Sequence, residues 1–207
     1  MNFFVIKLIS RIISLKGNII YIDEAGFNIN NKNFRTWRKK KDTIYHKYLK
    51  NDKFNLIMAV TKEKVISYEI TKKSTNSDVF QNFMERLIKS LDEKDLQKSI
   101  FFMDNLSAHK TTNLFKFYND KKLKVIFNTP YISEFNMIEF VFRHIKQYTY
   151  KKLYPSIKTL KDDVIKIIND LKNNNTLEKL YKNTLFNYIN FFNNNKDLNL
   201  NNYLIHK

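Results

Sequence analysis

The sequence predicts an α/β fold, a mixed sheet flanked by helices, and three observations carry that expectation. Apolar runs at residues 19–22, 54–60, 64–70, 100–103 and 123–127 are too short for core helices and read as strands. Helical periodicity separates them, most plainly in Val79, Phe80, Phe83, Met84, Leu87, Ile88 and Leu91, which keep the i, i+3, i+4 spacing for more than three turns. Two of the runs stop at acids, Asp23-Glu24 and Asp104, with a helical crossover between them. Such a crossover makes the two strands parallel members of one sheet. As neighbours they would bring Asp23 and Asp104 out side by side at one edge, the geometry that a shared divalent cation needs.

Taken in order, Gly17-Asn18 divides an N-terminal segment, 1–18, from the first strand. An Asn-rich connection follows, ending in Phe34-Arg-Thr-Trp37 and the densest basic cluster, Arg38, Lys39, Lys40 and Lys41. That cluster reads either as a solvated turn or as a contact to phosphates. The polar link Thr61-Lys-Glu63 joins two strands as a hairpin, and Thr75 or Ser77 is the expected cap of the next helix. Residues 100–103, Ile-Phe-Phe-Met, form a strand buried on both faces.

Asp104 ends that strand, where open α/β sheets keep their chemistry; the competing reading makes it the cap of the next helix. Ser107 is a further candidate cap. A helix near 111–118, a strand at 123–127 and a turn at Asn128-Thr-Pro130 come next. A helix then begins at Asn136, with Ile138, Val141, Phe142, Ile145 and Tyr148 on its apolar face and Glu139, Arg143 and Lys146 on another. Pro155-Ser156 starts one more helix, 176–192 another, and 193–207 is an Asn-rich tail. The expected organisation is therefore a core at 19–152, C-terminal helices at 153–192 packed on it, and two terminal extensions.

Composition narrows the chemistry. The chain of 207 residues is 43% hydrophobic, enough for one domain with a real core. It has no cysteine, which excludes disulfides, thiolate zinc sites and a cysteine nucleophile. Its four histidines, His46, His109, His144 and His206, form no ligand-spaced pair. A metal would be held mainly by carboxylates, which favours magnesium or manganese. The formal charge of +17 suits an anionic partner such as nucleic acid. Arginine supplies only five of the 37 cations, however, and the Lys-, Asn- and Ile-rich, Gly-poor mixture has the look of AT-rich coding. No run approaches the ~18 apolar residues of a membrane span.

At Asp104 and Glu139, with 34 residues between them, the chain resembles the catalytic domain of mariner-type transposases and their bacterial insertion-sequence relatives, the DDE superfamily endonucleases. Four stretches carry the resemblance. Ile22-Asp-Glu-Ala-Gly-Phe27 is similar to the first-aspartate motif and Arg35-Thr-Trp37 to the arginine–tryptophan element after it. Asp104-Asn-Leu-Ser-Ala-His-Lys110 is similar to the second-aspartate motif. Thr129-Pro-Tyr-Ile-Ser-Glu-Phe-Asn-Met-Ile-Glu139 is similar to the approach to the third acid, with Ser133 and Met137 where that family usually has prolines. The resemblance implies an RNase H-like, five-stranded mixed sheet in the order 3-2-1-4-5, with helices on both faces. Only 22 residues precede Asp23, against the longer helix-turn-helix modules of the family, so a catalytic domain apart from its DNA-reading module is expected.

The resemblance further implies a metal-dependent DNA endonuclease and strand transferase. Asp23, Asp104 and Glu139 would be its ligands for two Mg²⁺ or Mn²⁺ ions, with Asp104 touching both. Converging carboxylates repel, so without a cation at least one should hold a proton at neutral pH, and Asp104→Asn should leave metal-free stability unchanged or higher. Glu139 also fits a capping box with Asn136. His109 reads either as an aid to the bound water or phosphate or as a packed histidine, and Asn105 as a fixer of the loop. Glu24 reads as a neighbour. Arg35, Arg38, Lys39, Lys40, Lys41, Lys110, Arg143 and Lys146 are the expected contacts to double-stranded DNA, bound by a homodimer, in the nucleus of a eukaryote or otherwise in the cytoplasm. A domesticated or decayed domain that binds DNA or a partner without cutting is the alternative; a cellular ribonuclease or junction resolvase of the same fold is a third reading.

Overall fold

The computed structural model describes residues 18–29, 52–72, 74–128 and 133–194. Arg35, Trp37, Arg38, Lys39, Lys40 and Lys41, the segment 1–17, the turn at Pro130 and the Asn-rich tail from 195 onward lie outside the described residues. Five strands, β1 (Asn18–Asn28), β2 (Lys53–Val60), β3 (Val65–Thr71), β4 (Ser99–Met103) and β5 (Lys124–Phe127), form one sheet in the order β3-β2-β1-β4-β5. β2 runs antiparallel to both β1 and β3, while β4 runs parallel to β1 and β5 parallel to β4. This is the order that the resemblance implies. The hairpin between β2 and β3 closes through Thr61, whose amide bonds Lys64 O at 2.9 Å while its hydroxyl accepts from the Glu63 and Lys64 amides.

Among the described residues, six α-helices accompany the sheet: α1 (Ser77–Lys89), α2 (Glu93–Lys98), α3 (Thr112–Asp120), α4 (Met137–Thr149), α5 (Ile157–Asn173) and α6 (Thr176–Asn194). The two-residue period of the strands splits the core into two layers. Tyr21, Ala25, Phe27, Ile100 and Phe102 point to one face, covered by Ile138, Val141 and Ile145 of α4, by Leu160, Val164 and Ile168 of α5 and by Leu177 of α6. Ile20, Ile22, Phe101 and Met103 point to the other, under Phe80, Phe83, Met84 and Leu87 of α1 and Leu114 and Phe117 of α3. All five residues of β4 are buried, as a strand with helices on both sides requires. Each such Phe contributes about 1.5–3 kcal/mol by leaving water.

Several local expectations need correction. The cap of α1 is Asn76, not Thr75 or Ser77: its side chain accepts from Val79 N at 3.0 Å, and Ser77 is already helical. Ser107 caps no helix but opens a short 3-10 turn to His109, and Thr111 caps α3 instead. α2 was not legible, since its six residues carry a single apolar side chain, Leu96, and leave no periodic pattern. Tyr148 belongs to the exposed side of α4, 52% accessible, because that helix presents Thr149 inward in its last turn. Ser156 caps α5 in a box with Thr159.

Candidate active site

The parallel register places the acids. Ile22 of β1 lies opposite Met103 of β4, so Asp23 and Asp104 are each the next residue along, side by side where the β1–β4 pairing ends. β1 continues beyond Asp23 against β2, which keeps Asp23 buried at 7% exposure, whereas Asp104 has left the sheet and is partly open to water. Alternation along β1 then separates the adjacent acids. Asp23 faces the α4 layer and Glu24 the α1 layer.

On the α4 side, Asp23 Oδ1 accepts from the Glu24 amide at 2.8 Å, and Asn136 Nδ2 donates to Asp23 Oδ2 across 3.5 Å. Asn136 occupies the N-cap position of α4, but its side chain makes no capping bond. The capping box with Glu139 is therefore absent, and Asn136 is committed to Asp23. Glu139, half-buried in the first turn of α4, is left free of that structural duty. Arg143 and Lys146 follow it on the same helix, close enough for their charges to act on it.

On the α1 side, His109 is fully buried with its ring stacked on Phe80, centroids 4.1 Å apart. Its Nε2 lies 3.1 Å from Glu24 Oε1 and its Nδ1 2.7 Å from Asp104 Oδ1. The second contact is close but oblique, an ion pair rather than a well-aligned hydrogen bond. Asp104 Oδ1 also accepts from Leu106 N at 3.2 Å, so Asp104 turns the loop that Asn105 was expected to fix, and it caps no helix. His109 is packed, and it is packed between acids.

The electrostatics divide the carboxylates. Burial, then repulsion from Asp104, pushes Asp23 up to about 8, against the opposing bond from the Glu24 amide. Burial, with a smaller push from Asp104, also raises Glu139, although Lys146 and Arg143 oppose it. Burial would raise Asp104 too, but His109, the Leu106 amide and Lys110 outweigh it and hold Asp104 below the usual range. Burial works against a charge on His109, yet Asp104 and Glu24 on either side lift it to about 9. At neutral pH the site thus holds a protonated Asp23, an ionised Asp104 and an imidazolium. The member that keeps a proton is Asp23, and that reverses the expectation for Asp104→Asn.

Among the described residues, no three His, Asp or Glu side chains are drawn close enough to hold a metal ion. Asp104 is turned toward His109 and Asp23 toward Asn136. The donor chemistry still fits a hard divalent cation. Asp23, Asp104 and Glu139 offer only oxygen, Asn136 Oδ1 is buried beside them without a hydrogen-bond partner, and Asp23 carries a proton that a cation would displace. Of the expected DNA contacts, the structure gathers Lys110, Arg143 and Lys146 around these acids. Lys110 Nζ sits 4.7 Å over the Phe127 ring beside Asp104, and Lys146 Nζ 5.8 Å over Phe27. The sequence reading missed the link from Glu24 to His109. Its signal was the pair Asp23-Glu24 itself, since adjacent strand residues must serve opposite faces.

A family model described as DDE superfamily endonuclease matches residues 18–161, which span the whole sheet and all three acids. The chain belongs to the DDE superfamily endonucleases. Solved structures agree on the fold of this DDE family member. A crystal structure of the Mos1 mariner paired-end complex with Mn superposes with a TM-score of 0.74 at 15% identity, over 92% of this chain and 60% of that one. The crystal structure of the catalytic domain of Mos1 mariner transposase gives 0.67 at 16% identity, over 92% of this chain and 87% of that one. A pre-cleavage Mos1 transpososome gives 0.73 at 16%. The DDE chain described here spans about three fifths of the longer Mos1 chains. No curated protein shows significant sequence similarity to it. No helix among the described residues is long and apolar enough to cross a membrane.

Proposed function

We propose that this chain is the catalytic domain of a transposase, a divalent-metal-dependent DNA endonuclease and strand transferase that cuts transposon ends and joins them to target DNA. The observation that carries the reading is the pair Asp23 and Asp104 on adjacent parallel strands at one sheet end, with Glu139 at the start of the facing helix. Asp23, Asp104 and Glu139 would hold Mg²⁺ or Mn²⁺, two ions in all. Bound there, the ions supply an activated attacking oxygen and a stabilised leaving oxygen for in-line displacement at phosphorus.

The chain's own residues do the rest. Asp104 stays ionised against His109, and Asp23 gives up the proton it holds at neutral pH when the site is filled. Lys110, Arg143 and Lys146 border the acids and would clamp the phosphates on either side of the cut. The relatives crystallised as paired-end complexes support two copies working on two DNA ends.

The test is nicking of supercoiled plasmid by the 207-residue chain with Mg²⁺ or Mn²⁺. Metal-dependent nicking that falls at least ~100-fold in Asp104→Asn is expected, since one shared charge of the site is removed. Nicking that is equal in EDTA, or unchanged in the variant, would show that the acids are not the catalytic centre.

A further inference from the structure

We propose that Glu24 and His109 are positioning residues that brace the Asp104 carboxylate, fixing the direction in which it meets its cation. The inference rests on Asp104 being a ligand, as above, and adds the two residues that aim it. Glu24 cannot join Asp23 in the shared site, because strand alternation sends it to the opposite face. Its carboxylate meets His109 Nε2 at 3.1 Å instead, and the other ring nitrogen lies 2.7 Å from Asp104 Oδ1. One imidazole thus spans a carboxylate on β1 and another just past the end of β4, from the α1 side of the sheet.

The brace is held on every side. Phe80 lies flat against the ring at 4.1 Å, the Tyr118 hydroxyl donates to His109 O at 3.1 Å, and His109 N donates to Leu106 O at 3.1 Å. The two backbone bonds fix the His109 main chain, and Phe80 with the two carboxylates fixes the plane and direction of the ring. Asp104 shows the consequence. Its Oδ1 is engaged by both His109 and the Leu106 amide, while no described residue bonds Oδ2, and the side chain remains 36% exposed. One oxygen is tied back and the other presented outward. Partners of this kind behind a ligating group are worth 10- to 100-fold in metal affinity, roughly, in characterised sites.

A brace differs from a mere nearby charge, and Glu24 separates the two. Glu24→Asp keeps the negative charge but draws it back by one methylene, ~1.5 Å, out of reach of Nε2. Glu24→Gln keeps the length and removes the charge. His109→Gln is too short to span both partners. The experiment follows melting temperature of the 207-residue chain against Mn²⁺ concentration for wild type and these three variants, with metal-free duplex binding measured alongside.

Each variant should need about 10- to 100-fold more Mn²⁺ for half its melting shift, with metal-free duplex affinity unchanged. If Glu24→Asp matches wild type while Glu24→Gln is displaced, only charge matters and the brace is overturned. Equal midpoints throughout overturn it as well. Should His109→Gln fail to fold, the two Glu24 variants decide alone. A wild type that shows no Mn²⁺ response removes the ligand reading itself and the brace with it, a result distinct from the other two.

Discussion

At the scale of single residues, Asp23 and Asp104 look interchangeable in sequence and are opposites in structure. Both lie one residue beyond the last bridge between β1 and β4, yet one is buried within β1 beside other acids and the other, past the end of β4, is paired to an imidazolium. Asp23, raised to about 8, ionises near 4 in the unfolded chain. The metal-free protein is therefore fully stable, as far as this group goes, below pH 4, and loses that contribution as pH rises through about 8. Asp23→Asn should flatten that decline and raise the melting temperature at pH 8 in EDTA by about 10 °C or more, at ~2–4 °C per kcal/mol for a chain of this size. Asp104→Asn should lower it instead, because His109 loses an ionised partner in a buried site. Thermal melts of the three proteins from pH 4 to 8 check both signs. Parallel curves for wild type and Asp23→Asn would mean that Asp23 is not the strained member.

At the scale of elements, the C-terminal half is tied down by a polar cluster at the turn between α4 and α5. Lys152 Nζ lies 2.9 Å from Asp163 Oδ2, and the Tyr154 hydroxyl donates to the same oxygen. Burial alone would raise Asp163, but Tyr154 and Lys152 together hold it below the usual range. Its contribution is thus present above the unfolded value near 4 and is lost as pH falls through the lower folded value. Water screens Lys152, so less than about 1 kcal/mol is at stake. Asp163→Asn should melt up to ~2–4 °C lower at pH 7 and no lower at pH 2; an equal deficit at both would point to packing rather than charge. The cap of α1 gives a second, pH-independent test of an element. Asn76→Ala should cost about 1 kcal/mol in urea unfolding at pH 7, whereas Ser77→Ala should be near neutral.

At the scale of the whole molecule, a charge of +17 with Lys110, Arg143 and Lys146 at the acidic edge makes phosphate contact the expected mode of the proposed DNA binding. Such contacts carry little sequence information. Binding to any duplex should be weak and should collapse between low and physiological salt. Replacing Lys110, Arg143 and Lys146 by Ala should each reduce the slope of log affinity against log salt by about 1. Fluorescence anisotropy with unrelated duplexes measures both. Tight, salt-resistant preference for one sequence would reveal a recognition element in the chain.

The sequence by itself determined the α/β class, the helical periodicities, the three acids and their order, because local hydrophobic rhythm and strand-end carboxylates are written in neighbouring residues. The strand order followed from the motifs at Asp23, Asp104 and Glu139 through the family resemblance, not from periodicity. Tertiary structure decided what each polar group is bonded to. Asn136 could cap α4 or reach Asp23, Asp104 could cap a helix or pair with His109, and both choices depend on residues far away in the chain. Glu24 and His109 stand 85 positions apart and meet only because β1 and β4 are parallel neighbours. Burial then sets the charges: the same aspartate side chain is lifted to about 8 inside the sheet and held low at its rim, a difference that no window of sequence contains.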